Sequence, residues 1–544
     1  MSSIPPRIAT PDCTLTDNES NSSYCLLTDG DLHFLPYELG NANSKNHSNA
    51  STNGRSSPRP VPNIGNLGHD YPIYSSFLNN KTVSSFDSPN PSSTHLSSMA
   101  TNSNVTDHIS IQNADNNKHF DTIHKLLDNY KSHAIYLPND FIPLVDNAAQ
   151  NDKIKSLLLN IFTHWTATDK VSIKKLTGGI TNMLLKCCYS NPNTDMAETV
   201  LVRTYGNGTD LIIDRDREFV SHLVLNSLNL APPIHARFGN GLVYGFIEGS
   251  SLEYDQLSNN TIYPLIASKL ACLHKITDVN KIDESLNKLR HKFNCEAGEA
   301  SQDDIWSVLL DWIEKLPMIK PMLDLCLRNM DIATEQSAME LKAILYNEVR
   351  WLQNEIGSTS INVISHNDLL SGNIIIPEIA ASAREYEKYE KNPVSFIDYE
   401  YMMPAPRAFD IANHFMEWQG FDCDKSRIPQ FTYNKASRSY ENPIVWNWCE
   451  NYLNSFHSSD PTLNPYSKHF TSGNVKEVSI QHLVNEVAYH YGMPGLYWGI
   501  WACIQSEISY IDFDYASYSC ERLIEYWNWK RAYLLNKAQN SATI

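Results

Sequence analysis

The chain has 544 residues, a length typical of two to four domains and ample for a large hydrophobic core. Acidic residues outnumber basic residues by 61 to 43, giving a formal charge of −18, which argues against a nucleic-acid-binding surface and suits a cationic substrate. No apolar run approaches the ~20 residues that span a bilayer, and the first residues do not read as a signal peptide. We therefore expect a cytoplasmic protein with no membrane insertion, no nucleic-acid partner and reduced cysteines.

Residues 1–118 are rich in Ser, Asn, Pro and Thr and show few sustained apolar patterns. Such a segment cannot bury enough apolar surface to offset the entropy lost on ordering, so we predict a disordered extension. Ser57 and Ser88 each precede a proline and could be phosphorylated, and a passive tail is an equal alternative.

Residues 119–250 are predicted to form a unit rich in strands. The segment KIKSLLLNIFTHW has apolar residues at helical spacing, whereas VSIKKL, MLLKCCY and TVLVRTYG have the pattern of strands. A helix follows in DRDREFVSHLVLNSL, and then a strand pair that turns at Gly239-Asn240-Gly241. The turn TGGITN carries Gly178 and Gly179, whose backbone N–H groups could approach phosphates, although a Gly-Gly turn is usually only a hairpin.

Residues 251–544 are predicted to be mainly helical, with one strand-rich block around residues 362–398. Inside that block, EIAASAREYEKYEKNP is polar and helix-prone, which indicates a surface insertion. Near the C-terminus, Trp498 and Trp501 share one helix face, and Tyr515 and Tyr518 repeat their spacing. Aromatic faces attract ammonium groups, but such a stripe by itself is more typical of a hydrophobic core.

The most informative stretch is VISHNDLLSGNIIIP, followed by VSFIDYEY. It places Asp368 and Asn373 in the pattern Asp-x-x-x-x-Asn, and Asp398 at the end of the next apolar strand. Phosphoryl transfer needs a carboxylate near the attacking hydroxyl and oxygen ligands for Mg²⁺, and this set supplies both. The alternative is a loop with incidental polar residues between two buried strands. His366 is predicted to be structural, with its ring hydrogen-bonded to the loop backbone.

HNDLLSGNIII and IDYEYMMPAPRAFDIANHFMEW together resemble the choline/ethanolamine kinase family, from about residue 170 to 535. The resemblance implies an α+β, protein-kinase-like two-lobe fold, with a small β-rich N-lobe over residues 119–250 and a large, mostly helical C-lobe over residues 251–544. It implies ATP and Mg²⁺ as cofactors and a homodimer. It also implies that Asp368 is the catalytic base, that Asn373 and Asp398 bind Mg²⁺, and that Glu400 contributes to binding a second Mg²⁺ ion.

On the nucleotide side, the resemblance implies that Arg203 and Lys186 contact the ATP phosphates. Glu218 would pair with the phosphate-binding basic residue, and the segment from Tyr244 to Ile247 would read adenine through backbone groups. For each of the charged residues, a solvated surface charge is the alternative.

On the substrate side, the resemblance makes four aromatic residues a pocket for the amine head: Trp498, Trp501, Tyr515 and Tyr518. Glu417 would lie near the cationic head, although an exposed helix carboxylate is the alternative. Asp410 and Asn413 would support the catalytic loop, with helix capping and core polar bonding as the equal alternative.

Ethanolamine is the expected substrate, because DLIIDRDREF, NGLVYGFIEGSSL and SYIDFDY look closer to the ethanolamine branch of the family. Asp422 stands where choline-type members would place a substrate-facing Tyr, and a primary ammonium has N–H donors that need acceptors. The product would be phosphoethanolamine, the first intermediate of the CDP-ethanolamine route to phosphatidylethanolamine. Choline kinase, or a dual kinase, is the nearest alternative; an antibiotic-type phosphotransferase and a non-catalytic scaffold are more distant.

Overall fold

The computed structural model describes residues 136–144, 148–176, 182–191, 197–206, 208–292, 304–317, 319–329, 338–420, 423–509 and 513–541. The predicted extension over residues 1–118 and the turn with Gly178 and Gly179 lie outside these residues. In the described part of the chain, no helix combines the length and the apolar character that a membrane crossing requires.

The N-terminal unit is built on one six-stranded sheet. Its strands, in chain order, are β1 (Tyr136–Leu137), β2 (Val171–Leu176), β3 (Asn182–Ser190), β4 (Ala197–Tyr205), β5 (Ile234–Phe238) and β6 (Gly241–Gly245). Helix α1 (Ala148–Ile161) precedes β2, and α2 (Arg215–Ser227) connects β4 to β5. The strand order is β1-β5-β6-β4-β3-β2, and every pair is antiparallel except β1 with β5. The strands, both helices and the turn predicted from the sequence are confirmed.

The two faces of this sheet have different roles. Leu185 and Cys187 of β3 are buried on one face, where they belong to the same hydrophobic cluster as Ile154 of α1. Side chains alternate along a strand, so Lys186 and Arg203 lie on the opposite face. The face that carries Arg203 is turned toward the mainly helical part of the chain, since Arg203 donates a hydrogen bond to Asp398 in that part.

The remaining chain is mainly helical, as predicted. Its helices are α3 (Tyr263–Ile276), α4 (Val279–Lys292), α5 (Ile305–Glu314), α6 (Lys320–Asn329), α7 (Ala338–Ile356), α8 (Ala383–Tyr386), α9 (Arg407–Met416), α10 (Pro443–Phe456), α11 (Glu477–His490), α12 (Met493–Ile508) and α13 (Tyr515–Ser541). Helices α12 and α13 pack so closely at Gly495 that a Cβ added there would lie 2.6 Å from the carbonyl oxygen of Arg522. This close approach fixes the two helices that carry the predicted aromatic pocket.

Short strands frame the catalytic block. They are β7 (Ser250–Ser251), β8 (Asn362–Ser365), β9 (Ile374–Ile376), β10 (Ser395–Phe396), β11 (Met403–Pro406), β12 (Thr432–Asn434) and β13 (Ser439–Glu441). Strand β9 lies between β7 and β10, and β8 pairs with β11. The β12–β13 hairpin was not predicted.

The segment EIAASAREYEKYEKNP lies mostly at the surface, as predicted, with Ala380 and Tyr386 as its buried residues. Its helix is the single turn α8. Tyr386, at the end of that turn, is fully buried, and its hydroxyl accepts the N–H of Ala380 at 3.1 Å. One buried tyrosine therefore fixes this otherwise polar segment to the body of the protein.

Candidate active site

Asp368 lies on the loop between β8 and β9 and is 2% exposed. The amide nitrogen of Asn373 donates to the backbone carbonyl of Asp368 at 2.8 Å and to its carboxylate at 3.3 Å. Because the Asn373 nitrogen faces Asp368, its amide oxygen is the atom that could serve a metal ion. The predicted Asp-x-x-x-x-Asn pattern thus brings its two residues into direct contact.

The backbone before Asp368 is held by helix α9. Asn367 has a φ of 61°, a left-handed conformation that costs energy for any residue other than glycine. The carboxylate of Asp410 accepts the N–H groups of His366 and Asn367, both at 2.8 Å. The side-chain nitrogen of Asn413 donates to the carbonyl of Asn367 at 3.0 Å. The predicted support of the catalytic loop by Asp410 and Asn413 is confirmed.

His366 is structural, as predicted. Its Nε2 donates to the backbone carbonyl of Ile397 at 3.0 Å, and its ring packs on Tyr399 with centroids 5.2 Å apart. This bond ties the loop that carries Asp368 to the segment that carries Asp398.

Asp398 follows β10 and has a φ of 66°, again in the left-handed region. The N–H of Ile397 donates to the carbonyl of Asn373 at 3.0 Å, so Asp398 and Asn373 lie next to each other at the ends of two paired strands. Burial raises the pKa of Asp398, and the Glu400 carboxylate raises it further, whereas the positive charge of Arg203 lowers it; the balance is a raised pKa.

The residues around Asp398 fit a hard cation. An amide oxygen from Asn373 and a carboxylate from Asp398 are ligands of the kind that Mg²⁺ takes. Among the described residues, no cluster of three or more His, Cys, Asp or Glu side chains is arranged to hold a metal. A metal ion here would complete its shell with phosphate oxygens and water, which is the usual arrangement for Mg²⁺.

Arg203 connects the sheet to this site. Its guanidinium donates from Nη1 to Asp398 at 2.8 Å and from Nη2 to Glu400 at 2.5 Å. Arg203 is buried on β4, and both carboxylates belong to the segment after β10. A buried guanidinium therefore lies directly against the candidate metal ligands.

A second arginine, Arg215, was missed by the sequence reasoning. Its Nη1 donates to Glu218 at 2.8 Å and to Glu400 at 3.1 Å, and its guanidinium packs over the ring of Tyr205 at 4.0 Å. Glu218 is 3.6 Å from Arg203, so its closer partner is Arg215. The expected pairing of Glu218 with Arg203 is present but longer. A spacing of three residues on one helix was the available signal for the Arg215–Glu218 pair.

A cleft opens beside these charges, between the sheet and the segment after β10. Its lining residues are Arg203, Glu218, His222, Pro232, Leu242, Tyr244, Ile397, Asp398 and Tyr399. Tyr244 lies in β6, and Ile247 is half-buried on the connection to β7. Lys186 has its ammonium 3.7 Å from the ring centroid of Phe246, on the same connection. Of the predicted nucleotide residues, Arg203, Glu218 and Tyr244 line this cleft, whereas Lys186 and Ile247 are not among its lining residues.

The two tryptophans predicted for the amine pocket are each 1% exposed and hydrogen-bonded. Trp498 donates its indole N–H to Asn413 at 2.8 Å, and Trp501 donates to the hydroxyl of Tyr401 at 2.9 Å. Trp498 therefore bonds to the same Asn413 that holds the catalytic loop.

The aromatic side chains form one continuous row. Ring centroids are 5.4 Å apart between Trp498 and Trp501, 6.0 Å between Trp501 and Tyr515, 4.9 Å between Tyr515 and Phe513, and 5.8 Å between Phe513 and Tyr518. The four predicted residues are brought together, and Phe513 was missed because it precedes α13 and does not share its helical spacing.

Glu417 directly follows α9, in a 3-10 turn over Glu417–Gln419, and is partly buried. It therefore continues the helix that supports the catalytic loop. Phe421 and Asp422, the residues after this turn that bear on the choice of amine, lie outside the described residues.

Comparison with known proteins agrees with this geometry. The sequence model of the choline/ethanolamine kinase family matches residues 173–527. Human ethanolamine kinase 1 is 31% identical over 378 residues, covering 69% of this chain and 71% of that protein. A probable ethanolamine kinase of Nematostella vectensis is 32% identical over 367 residues, covering 66% and 88%.

Among solved structures, an ethanolamine kinase of Plasmodium vivax superimposes with a TM-score of 0.51 at 24% sequence identity, covering 74% of this chain and 93% of that chain. That likeness shows the protein-kinase-like two-lobe fold expected from the sequence. The family match begins in β2 and ends in α13, so it includes most of the sheet and the catalytic loop, and this chain belongs to the choline/ethanolamine kinase family.

Proposed function

We propose that this chain transfers the γ-phosphate of ATP to the hydroxyl group of ethanolamine. The observation that carries the proposal is the loop of Asp368, which is held by Asn373 on one side and by helix α9 on the other, next to Asp398. Family membership supplies the reaction class, and the two curated relatives described above are an ethanolamine kinase and a probable ethanolamine kinase.

Asp368 would act on the attacking hydroxyl. Its carboxylate would accept the hydroxyl proton while the oxygen forms a bond to the γ-phosphorus, and the bond from that phosphorus to ADP breaks. The hydrogen bond from Asn373 and the fixed backbone of Asn367 keep the carboxylate in one orientation. Positioning of this kind is the main contribution a protein makes to phosphoryl transfer.

Asn373 and Asp398 would hold Mg²⁺, with Glu400 beside them. The ion, when bound, would neutralise phosphate charge. Arg203 already lies against both carboxylates, so a phosphate next to the metal site would meet its guanidinium. Lys186 would provide a second positive charge on the same face of the sheet.

The amine head would lie against the aromatic row, near Glu417. Aromatic faces attract an ammonium by ~0.5–2 kcal/mol each, and a carboxylate can accept its N–H groups. A primary ammonium uses both kinds of contact, whereas a quaternary ammonium uses only the rings and the charge. This difference favours ethanolamine over choline as the substrate.

The test is the kcat/KM of the purified full chain for ethanolamine and for choline, each with Mg-ATP. We expect the higher value for ethanolamine, and an Asp368→Asn control that lacks activity on both. A higher kcat/KM for choline would show that choline is the preferred substrate, and the assignment of kinase activity would stand. No turnover of either amine above the Asp368→Asn background would overturn the proposal in favour of a non-catalytic scaffold. The cytoplasmic location and the homodimer stay predictions.

A further inference from the structure

A buried chain of hydrogen bonds continues below the catalytic loop. His274 of α3 lies between two side chains: its Nδ1 is 2.8 Å from the hydroxyl of Tyr452 of α10, and its Nε2 is 2.9 Å from Oδ2 of Asp410 of α9. All three side chains are buried, and those of His274 and Asp410 are completely shielded from solvent. Three helices that are distant in sequence thus meet at one imidazole.

The partners of Asp410 fix the direction of these bonds. Its carboxylate accepts the N–H groups of His366 and Asn367, so it acts as an acceptor toward the loop. Burial raises the pKa of Asp410, but the hydrogen bond and charge of His274, with those of His366, outweigh it and lower the pKa overall. An ionised Asp410 requires Nε2 of His274 to donate. The hydroxyl of Tyr452 bonds to the other ring nitrogen, Nδ1, and so holds the ring in the orientation that directs Nε2 at Asp410.

We propose that His274 is a positioning residue for phosphoryl transfer, acting through Asp410 on the backbone of the catalytic loop. The inference rests on the proposed function. Asp410 needs one fixed carboxylate orientation to reach both N–H groups at 2.8 Å, and His274 bonds to Oδ2, the oxygen that also accepts the His366 N–H. Those two bonds help to hold Asn367 in its left-handed conformation.

Loss of His274 would leave the loop folded but less precisely placed. The loop keeps several other ties; among them, Asn413 donates to Asn367 and His414 donates to the carbonyl of Leu369 at 2.9 Å. Small displacements of catalytic groups lower the chemical rate more than they lower substrate binding. The expected signature is therefore a lower kcat with little change in either KM.

The experiment compares His274→Phe with His274→Gln in the full chain. Phe fills the site without a donor, whereas the Gln amide can donate to Asp410. We expect kcat of His274→Phe to fall about 10- to 100-fold, the cost of misplacing a catalytic group, with both KM values within about twofold. His274→Gln should recover part of that loss. Tyr452→Phe removes only the hydroxyl that bonds to His274, so its loss of kcat should be smaller than that of His274→Phe. It replaces His274→Phe as the test variant if His274→Phe does not fold.

His490→Phe is the matched control. His490 is also fully buried, but its Nδ1 bonds to the Glu486 carbonyl within its own helix and not to Asp410. Its replacement should lower the melting temperature and leave kcat per folded enzyme unchanged.

A second measurement does not depend on activity. Hydrogen exchange at the amides of His366 and Asn367 should become faster in His274→Phe or Tyr452→Phe and stay slow in His490→Phe. Unchanged exchange in a folded variant, an unchanged kcat, or no recovery with Gln would each overturn the role of His274. Failure of the proposed function would appear separately, as a wild-type chain that does not phosphorylate ethanolamine.

Discussion

Replacing Trp501 separates a substrate pocket from a hydrophobic core. Its ring lies within the aromatic row, 6.0 Å from Tyr515, while its N–H bonds to Tyr401. Trp501→Leu removes both the aromatic ring and the indole N–H donor. Trp501→Phe also removes the N–H donor but keeps an aromatic ring, whose π-face is weaker. Both variants lose the hydrogen bond to Tyr401, so the difference between them isolates the aromatic contact with the amine.

The magnitude follows from these contacts. Loss of the Trp501–Tyr401 hydrogen bond costs about 0.5–1.5 kcal/mol of stability in either variant. Loss of one cation–π contact, worth ~0.5–2 kcal/mol, should raise KM for ethanolamine about 2- to 30-fold in Trp501→Leu. Trp501→Phe should show a smaller rise. The KM for ATP should not change, since Trp501 is absent from the lining of the cleft beside Arg203.

Trp498→Phe is the matched comparison, because its indole is equally buried but donates to Asn413. Leaving the buried Asn413 oxygen without that donor costs about 1–3 kcal/mol and should lower kcat more than it raises the amine KM. Both KM values, kcat and the melting temperature are measured on each purified variant. A Trp501→Leu enzyme that is less stable but has an unchanged amine KM would refute the pocket assignment and leave Trp501 as core.

Three further predictions concern the metal site, the base and the extension. Asp368→Asn keeps the size of the side chain without its charge, and kcat should fall at least ~10²-fold; a near-normal rate would exclude Asp368 as the base. Asp398→Ala should abolish activity at ordinary Mg²⁺, and Asn373→Ala should raise the Mg²⁺ concentration for half activity; an unchanged titration would contradict the ligand role of Asn373. A truncation that begins near residue 118 should keep its kcat, because the extension carries none of the catalytic motifs, and a folded but inactive truncation would show that assumption to be wrong.

The catalytic loop could be predicted because its residues are close in sequence. Asp368 and Asn373 stand on one loop, and the chemistry of phosphoryl transfer explains their types. Asp410 and Asn413 were implied by the family resemblance, and the structure puts both in contact with the loop backbone. Local spacing and chemistry were enough for Asp368 and Asn373 alone.

Arg215 could not be found this way. Its contact with Glu400 joins the first turn of α2 to the segment after β10, and no periodicity in the sequence relates two positions so far apart. The β12–β13 hairpin was missed for a local reason. Its turn contains neither Gly nor Pro, and the left-handed position is Arg438, with a φ of 55°. Sequence signals for turns depend on residues that adopt this conformation easily, and arginine is not one of them.

Helix α9 explains why core and pocket are not separate alternatives at this site. Asp410 and Asn413 on α9 hold the loop of Asp368, and the helix continues directly into Glu417, roughly two turns further along. Trp498 bonds to the middle of the same helix while its ring belongs to the aromatic row. A rigid helix thus links the group proposed to act on the hydroxyl to the groups proposed to bind the ammonium. Since these are the two ends of one small substrate, their separation must be fixed, and burying the aromatic residues in the core is the physical means of fixing it.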